Sequence, residues 1–216
     1  MFSKYFDHTI LRADATEEEI INLCNEAKKY NFASVCVNPC HIETCANILE
    51  GSGVDVCTVV GFPLGSMTTE AKMFETEQAL KHNATEIDMV INIGKLKDKD
   101  YIYVRNEIKL LKKICGTKIL KVIIETCLLT EEEKIKACEL AKEAGADFVK
   151  TSTGMSKAGA TKEDIMLMRK VVGEEMGVKA SGGIRDLNSA QTMIDAGATR
   201  VGCSSTVNIM ESYNKN

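Results

Sequence analysis

Three lysines and one aspartate lie inside short runs of apolar and β-branched residues, where charged side chains are rare. Lys121 sits in Leu120-Lys121-Val122-Ile123, Lys150 in Phe148-Val149-Lys150-Thr151, Lys179 in Val178-Lys179-Ala180-Ser181, and Asp88 in Glu86-Ile87-Asp88-Met89-Val90. Side chains alternate between the two faces of an extended strand. Asp88 then shares a face with Val90 and turns away from Ile87 and Met89, Lys179 turns away from Val178 and Ala180, and Lys121 is in phase with Ile123 and Glu125. An interior lysine has a chemical use. Its ammonium titrates near about 10.4 in water, so it becomes a nucleophile at neutral pH only when burial or a second ammonium disfavours its charge. The neutral amine attacks an aldehyde. The protonated imine that results draws electrons from the adjacent carbon, which is how carbon–carbon bonds are made and cleaved. A carboxylate such as Asp88 can hold the water or carry the proton. For a single lysine the plainer account, reaching solvent or pairing with Glu125 or Asp88, is the better one. Several inward ionisable groups on nearby strands reverse that preference. The pattern leaves open which lysine reacts.

A second group of residues suits an anion. Gly182-Gly183-Ile184-Arg185 follows the Lys179 run, and Gly202-Cys203-Ser204-Ser205 closes the run Arg200 to Cys203, each leading into a helix-like stretch. Glycine lets backbone N–H groups approach a phosphate, and a helix N-terminus favours negative charge. Gly154, shortly after Lys150, is a candidate third member.

These groups need elements to hold them. Strand-like runs span Tyr5 to Ile10, Ala33 to Val37, Val54 to Val60, Glu86 to Ile91, Lys118 to Ile124, Phe148 to Thr151, Val178 to Ser181 and Arg200 to Cys203. Helix-like stretches alternate with them. Thr130 with Glu133 makes a capping box, Ile135, Cys138, Ala141 and Ala144 recur at helical spacing, and Gly145 marks the stop. Such alternation implies a parallel sheet with right-handed crossovers. Eight units over 216 residues, about 27 each, predict a single (β/α)8 TIM barrel over residues 1–216, an α/β fold with active groups at the strand carboxyl ends. An open doubly wound sheet is the rival, since alternation alone does not reveal closure.

Composition narrows the function. A net charge of -4 offers no basic face for nucleic acid. No stretch has the roughly 18 apolar residues of a membrane span, and the first residues lack the apolar core of a signal peptide, so a cytoplasmic protein is expected. Nine cysteines include no C-x-x-C pair and read as reduced core residues. Cys36, Cys40, His41 and Cys45 do not have the spacing of a usual zinc site, and neither a metal nor a cofactor is expected. His8, beside Asp7, is a candidate support for the strand-end lysines.

The segments Asp7-His8-Thr9, Gly61-Phe62-Pro63-Leu64-Gly65, Glu86-Ile87-Asp88-Met89-Val90, Lys121-Val122-Ile123-Ile124-Glu125-Thr126, Val149-Lys150-Thr151-Ser152-Thr153-Gly154 and Lys179-Ala180-Ser181-Gly182-Gly183-Ile184-Arg185 resemble the deoxyribose-phosphate aldolase family, a class I aldolase (lyase) family, in order and over nearly the whole chain. The resemblance implies that Lys150 forms the Schiff base, that Lys179 tunes it, and that Asp88 transfers protons. Asp7 and Lys121 would support them, and Gly154, Gly182, Gly183, Gly202, Ser204 and Ser205 would hold a phosphate. It also implies the reversible cleavage of 2-deoxy-D-ribose 5-phosphate to D-glyceraldehyde 3-phosphate and acetaldehyde, in deoxyribonucleotide catabolism. Small molecules would be the only substrates, and the family often forms dimers, so a homodimer or higher homo-oligomer is expected. Where relatives read S-T-G-F, this chain reads Ser152-Thr153-Gly154-Met155-Ser156-Lys157, a change in the loop over the phosphate. Some members use a tyrosine of the C-terminal tail in proton transfer, and Tyr213 is the tail tyrosine here.

Overall fold

The computed structural model describes residues 1–215 and contains all eight strands, each within one residue of the expected bounds. They are β1 (Phe6–Ile10), β2 (Ser34–Val37), β3 (Asp55–Val60), β4 (Glu86–Val90), β5 (Ile119–Ile123), β6 (Phe148–Lys150), β7 (Gly177–Ser181) and β8 (Arg200–Cys203). Each pairs in parallel with the next, and β8 returns to β1 with Phe6 opposite Val201. The sheet therefore closes into a TIM barrel, and the open-sheet alternative falls.

Helices cover the outside: α1 (Glu17–Tyr30), α2 (Ile42–Leu49), α3 (Thr69–Lys81), the short α4 (Ile93–Lys97), α5 (Tyr101–Cys115), α6 (Glu131–Glu143), α7 (Lys162–Val172), α8 (Leu187–Asp195) and α9 (Thr206–Tyr213). Their ends obey local chemistry. Thr16 with Glu19 and Thr130 with Glu133 form capping boxes at the starts of α1 and α6, and Gly145 takes φ +81° after α6. The core lies between barrel and helices, where Ile87, Met89, Val178 and Ala180 are fully buried. Among the described residues, no helix is long and apolar enough to cross a membrane.

Barrels of this class usually fill their interior with layers of branched apolar side chains. This one fills it with charge. Asp7, Glu86, Asp88, Lys121, Lys150, Lys179 and Arg200 form one continuous set of ion pairs, four cations against three carboxylates. Below them, at the amino-terminal end, Arg200 lies over the ring of Phe148 at 5.5 Å. Gly177 makes room for that ring, since a Cβ at this position would sit 2.2 Å from it. The strand bearing Asp88 is fixed from outside as well. Lys72 of α3, fully buried, donates to the Val90 carbonyl and to Glu107 of α5, both at 2.9 Å.

Tyr213 ends α9 and stacks on Phe2 at 4.2 Å, just before β1. It therefore lies at the amino-terminal rim, away from the strand ends where the lysines gather.

Candidate active site

The three lysines converge on one carboxylate. Lys150 and Lys179 both donate to Oδ2 of Asp88 at 2.7 Å, and Lys121 donates to Oδ1 at 2.9 Å. Register explains this. Asp88 pairs with Lys121 across β4 and β5, and Lys150 with Lys179 across β6 and β7, so all four share the inward face. The lysines differ in how many carboxylates they meet. Lys121 contacts Glu86, Asp88 and, at 3.9 Å, Asp7; Lys179 contacts Asp88 and, at 2.5 Å, Asp7; Lys150 contacts Asp88 alone. Pairing with Asp88, weighed above as an alternative to chemistry, is thus the resting arrangement.

Protonation follows from these contacts. Burial pushes the Asp88 carboxyl up, but the lysines Lys121, Lys150 and Lys179 outweigh it and hold the group well below the ordinary carboxylate range. Asp7 behaves alike, with burial opposed by Lys179, Arg200 and Lys121 and a net lowering. Burial lowers Lys179, but Asp7 and Asp88 more than offset it and raise the group above its ordinary value. Lys121 is raised in the same way, burial being overcome by Asp88 and its other anionic neighbours. Asp88 is therefore a carboxylate, and Lys179 and Lys121 are standing cations.

A cavity of about 430 Å³ opens above this cluster at the carboxyl ends of β1, β6, β7 and β8. Lys150 and Lys179 form its floor with Gly202, and Gly154, Gly182, Gly183 and Ser204 form one wall. Ser205 is the N-cap of α9, next to that wall but not part of it. Arg12 and Arg185 stand at the mouth. Gly182 is required by close packing: a Cβ there would lie 2.9 Å from the Gly159 Cα and 3.4 Å from the Gly154 Cα. The loop containing Met155-Ser156-Lys157 is tied down behind them, with Ala160 N–H donating to the Ser181 and Gly182 carbonyls at 3.0 and 3.1 Å. Glu125, two residues past the end of β5, takes φ +55° and accepts from the Thr153 hydroxyl at 2.5 Å, steadying the segment after Lys150.

Residues 1–212 match the family described as DeoC/LacD family aldolase. The chain belongs to this family. Among the aldolases similar to it, a deoxyribose-phosphate aldolase of Clostridium perfringens (strain 13 / Type A) is 61% identical over 210 residues, 97% of this chain and 94% of that protein. Another, from Geobacillus sp. (strain WCH70), is 57% identical over 215 residues, covering 99% of this chain and 96% of the relative. The tetrameric deoxyribose phosphate aldolase structure from Aeropyrum pernix superposes with a TM-score of 0.89 at 35% identity, over 98% of this chain and 90% of that one. The chain is thus an aldolase, a lyase acting on small molecules.

Seen as an aldolase site, the cluster contains members that sequence reading did not single out. Glu86 contacts Lys121 and Arg200, and Arg200 donates to Asp7 at 2.6 Å. Both are in phase with known inward residues, Glu86 with Asp88 and Arg200 with Gly202, and strand phase alone would have found them. Cys57 Sγ lies 3.1 Å from Asp88, and Cys36 faces into the barrel beside it. Cys40 is exposed and Cys45 is buried on α2, so the residues considered for a metal do not assemble. His8 departs from expectation. It points outward, toward α1 and α9, and supports none of the lysines directly.

Proposed function

We propose that this aldolase cleaves 2-deoxy-D-ribose 5-phosphate reversibly to D-glyceraldehyde 3-phosphate and acetaldehyde through a Schiff base on Lys150. The names of its relatives support the substrate. The observation that carries the mechanism is the unequal neutralisation of the three lysines: at the cavity floor, Lys150 has one carboxylate partner where Lys179 has two. Lys150 is thus the amine with the fewest counter-charges, and it lies beside a standing cation.

The neutral Lys150 amine attacks the substrate aldehyde, water leaves, and a protonated imine forms. Removal of the proton from the hydroxyl at C3 sends the C2–C3 bonding electrons into the imine, releasing glyceraldehyde 3-phosphate and leaving an enamine. Protonation at C2 and hydrolysis then free acetaldehyde. Asp88, ionised and in contact with Lys150, suits proton transfer through a bound water. Lys179 supplies the fixed cation, and Asp7 and Lys121 hold Lys179 and Asp88 in place. Gly154, Gly182, Gly183, Gly202, Ser204 and Ser205 would receive the 5-phosphate, with the N-terminus of α9 behind them. Nine free cysteines suit a reducing cytoplasm, and the likeness to deoxyribose-phosphate aldolases supports a catabolic role there. The tetrameric relative favours a homo-oligomer.

Borohydride reduction of the protein in the presence of acetaldehyde should yield one ethylated peptide, carrying Lys150. No adduct, or label confined to another lysine, would overturn the mechanism. A second measurement addresses the phosphate. Ser204→Leu should lower kcat/KM for the 5-phosphate about tenfold or more relative to unphosphorylated deoxyribose, the loss of roughly one charge-assisted contact. Equal losses on both substrates would remove the phosphate from this wall.

A further inference from the structure

We infer that His8 is a positioning residue for the phosphate end of the site, holding both ends of the Ser204-Ser205 turn. The inference rests on the reading of that turn as part of the phosphate cradle. His8 pairs with Cys203 in the β1–β8 register, which fixes the chain immediately before Ser204. Its side chain fixes the chain immediately after Ser205, because Nδ1 is 2.5 Å from the hydroxyl of Thr206, the first residue of α9. One residue thus spans a turn of two.

The imidazole is itself held. Nε2 lies 2.8 Å from Glu26 of α1, and the Phe32 ring packs against it at 5.3 Å between centroids. A carboxylate can only accept, so the Glu26 contact places the imidazole proton on Nε2 and leaves Nδ1 to accept from Thr206. Burial lowers His8 below the ordinary histidine value despite Glu26, in keeping with a neutral ring. Thr206 is fully buried and Ser205 makes no side-chain cap bond, so His8 supplies the side-chain anchor at this helix start. A helix of eight residues gains little from its own length. Fixing its first residue holds the turn that carries Ser204 at the cavity wall without placing a charge there.

The pair Thr206→Val and Thr206→Ser separates positioning from bulk. Valine keeps the shape and removes the hydroxyl; serine keeps the hydroxyl. Thr206→Val should lower the ratio of kcat/KM for the 5-phosphate over that for deoxyribose about three- to tenfold, chiefly through KM, while Thr206→Ser restores it. Glu26→Ala, at the solvent-facing end of the relay, should shift the same ratio in the same direction by less, and it decides the matter if Thr206→Val does not fold. Ser204→Leu is measured in parallel. If Ser204→Leu changes the ratio and neither relay variant does, the role of His8 is refuted and the phosphate site stands. If Ser204→Leu leaves the ratio unchanged too, the phosphate reading fails and the inference fails with it.

Discussion

Lys150→Ala is expected to lose turnover by at least about a thousandfold, the scale seen when a covalent nucleophile is removed. No other amine offers the same combination of access and weak neutralisation: Lys121 is fully buried against three carboxylates, and Lys179 is engaged by two. Borohydride should trap no acetaldehyde adduct. Lys150→Arg should be as inactive, since a guanidinium stays charged and forms no imine under these conditions. Neither variant should unfold, because Asp88 keeps Lys121 and Lys179 as partners. The assignment is wrong if the alanine variant still traps acetaldehyde on another lysine at a near-normal rate.

Lys179→Leu is expected to be slow but not dead, by on the order of a hundredfold, the range of a misplaced acid–base group. Its pH–rate profile carries the diagnosis. Lys179 is raised above the ordinary lysine value by Asp7 and Asp88 once burial is overcome, so it stays charged throughout an assay from pH 6 to about 10. Its own titration therefore cannot shape the profile. Leucine removes a fixed cation and leaves both carboxylates, which favours the charged form of the remaining amine. The rise of rate with pH should move to higher pH, and Lys179→Glu should move it further and do worse. A uniform loss with no shift would show that Lys179 works by touching the substrate or passing a proton, and the electrostatic account would fall.

Local pattern went far in this chain because a parallel barrel obeys period two on every strand. The run Glu86-Ile87-Asp88-Met89-Val90 told which face Asp88 takes, and the lysines followed by the same rule. Closure was legible only through the count of eight units. It depends on Phe6 meeting Val201 from the far end of the chain, which no window of sequence contains. The choice among lysines was hidden for the same reason, since the count of carboxylates around each is set by Asp7, Glu86 and Asp88 arriving from different strands. The family resemblance named Lys150; the unequal pairing gives a physical reason for it. Glu86 and Arg200 open their strands in phase with inward residues, and the closed barrel turns both into its interior. His8 was misread because its neighbour Asp7 faces the lysines, and adjacent strand residues face opposite ways.

The floor of the chamber, where Lys150 and Lys179 rest on Asp88 and where Lys121, Asp7 and Asp88 have no exposure, makes the site a well entered from the strand carboxyl ends. Traffic through such a well is last in, first out. On the proposed reaction the phosphorylated fragment sits by the door while the two-carbon fragment remains bonded to Lys150 at the bottom. Departure is then sequential by topology, the larger product leaving before the smaller, and in synthesis acetaldehyde must load first.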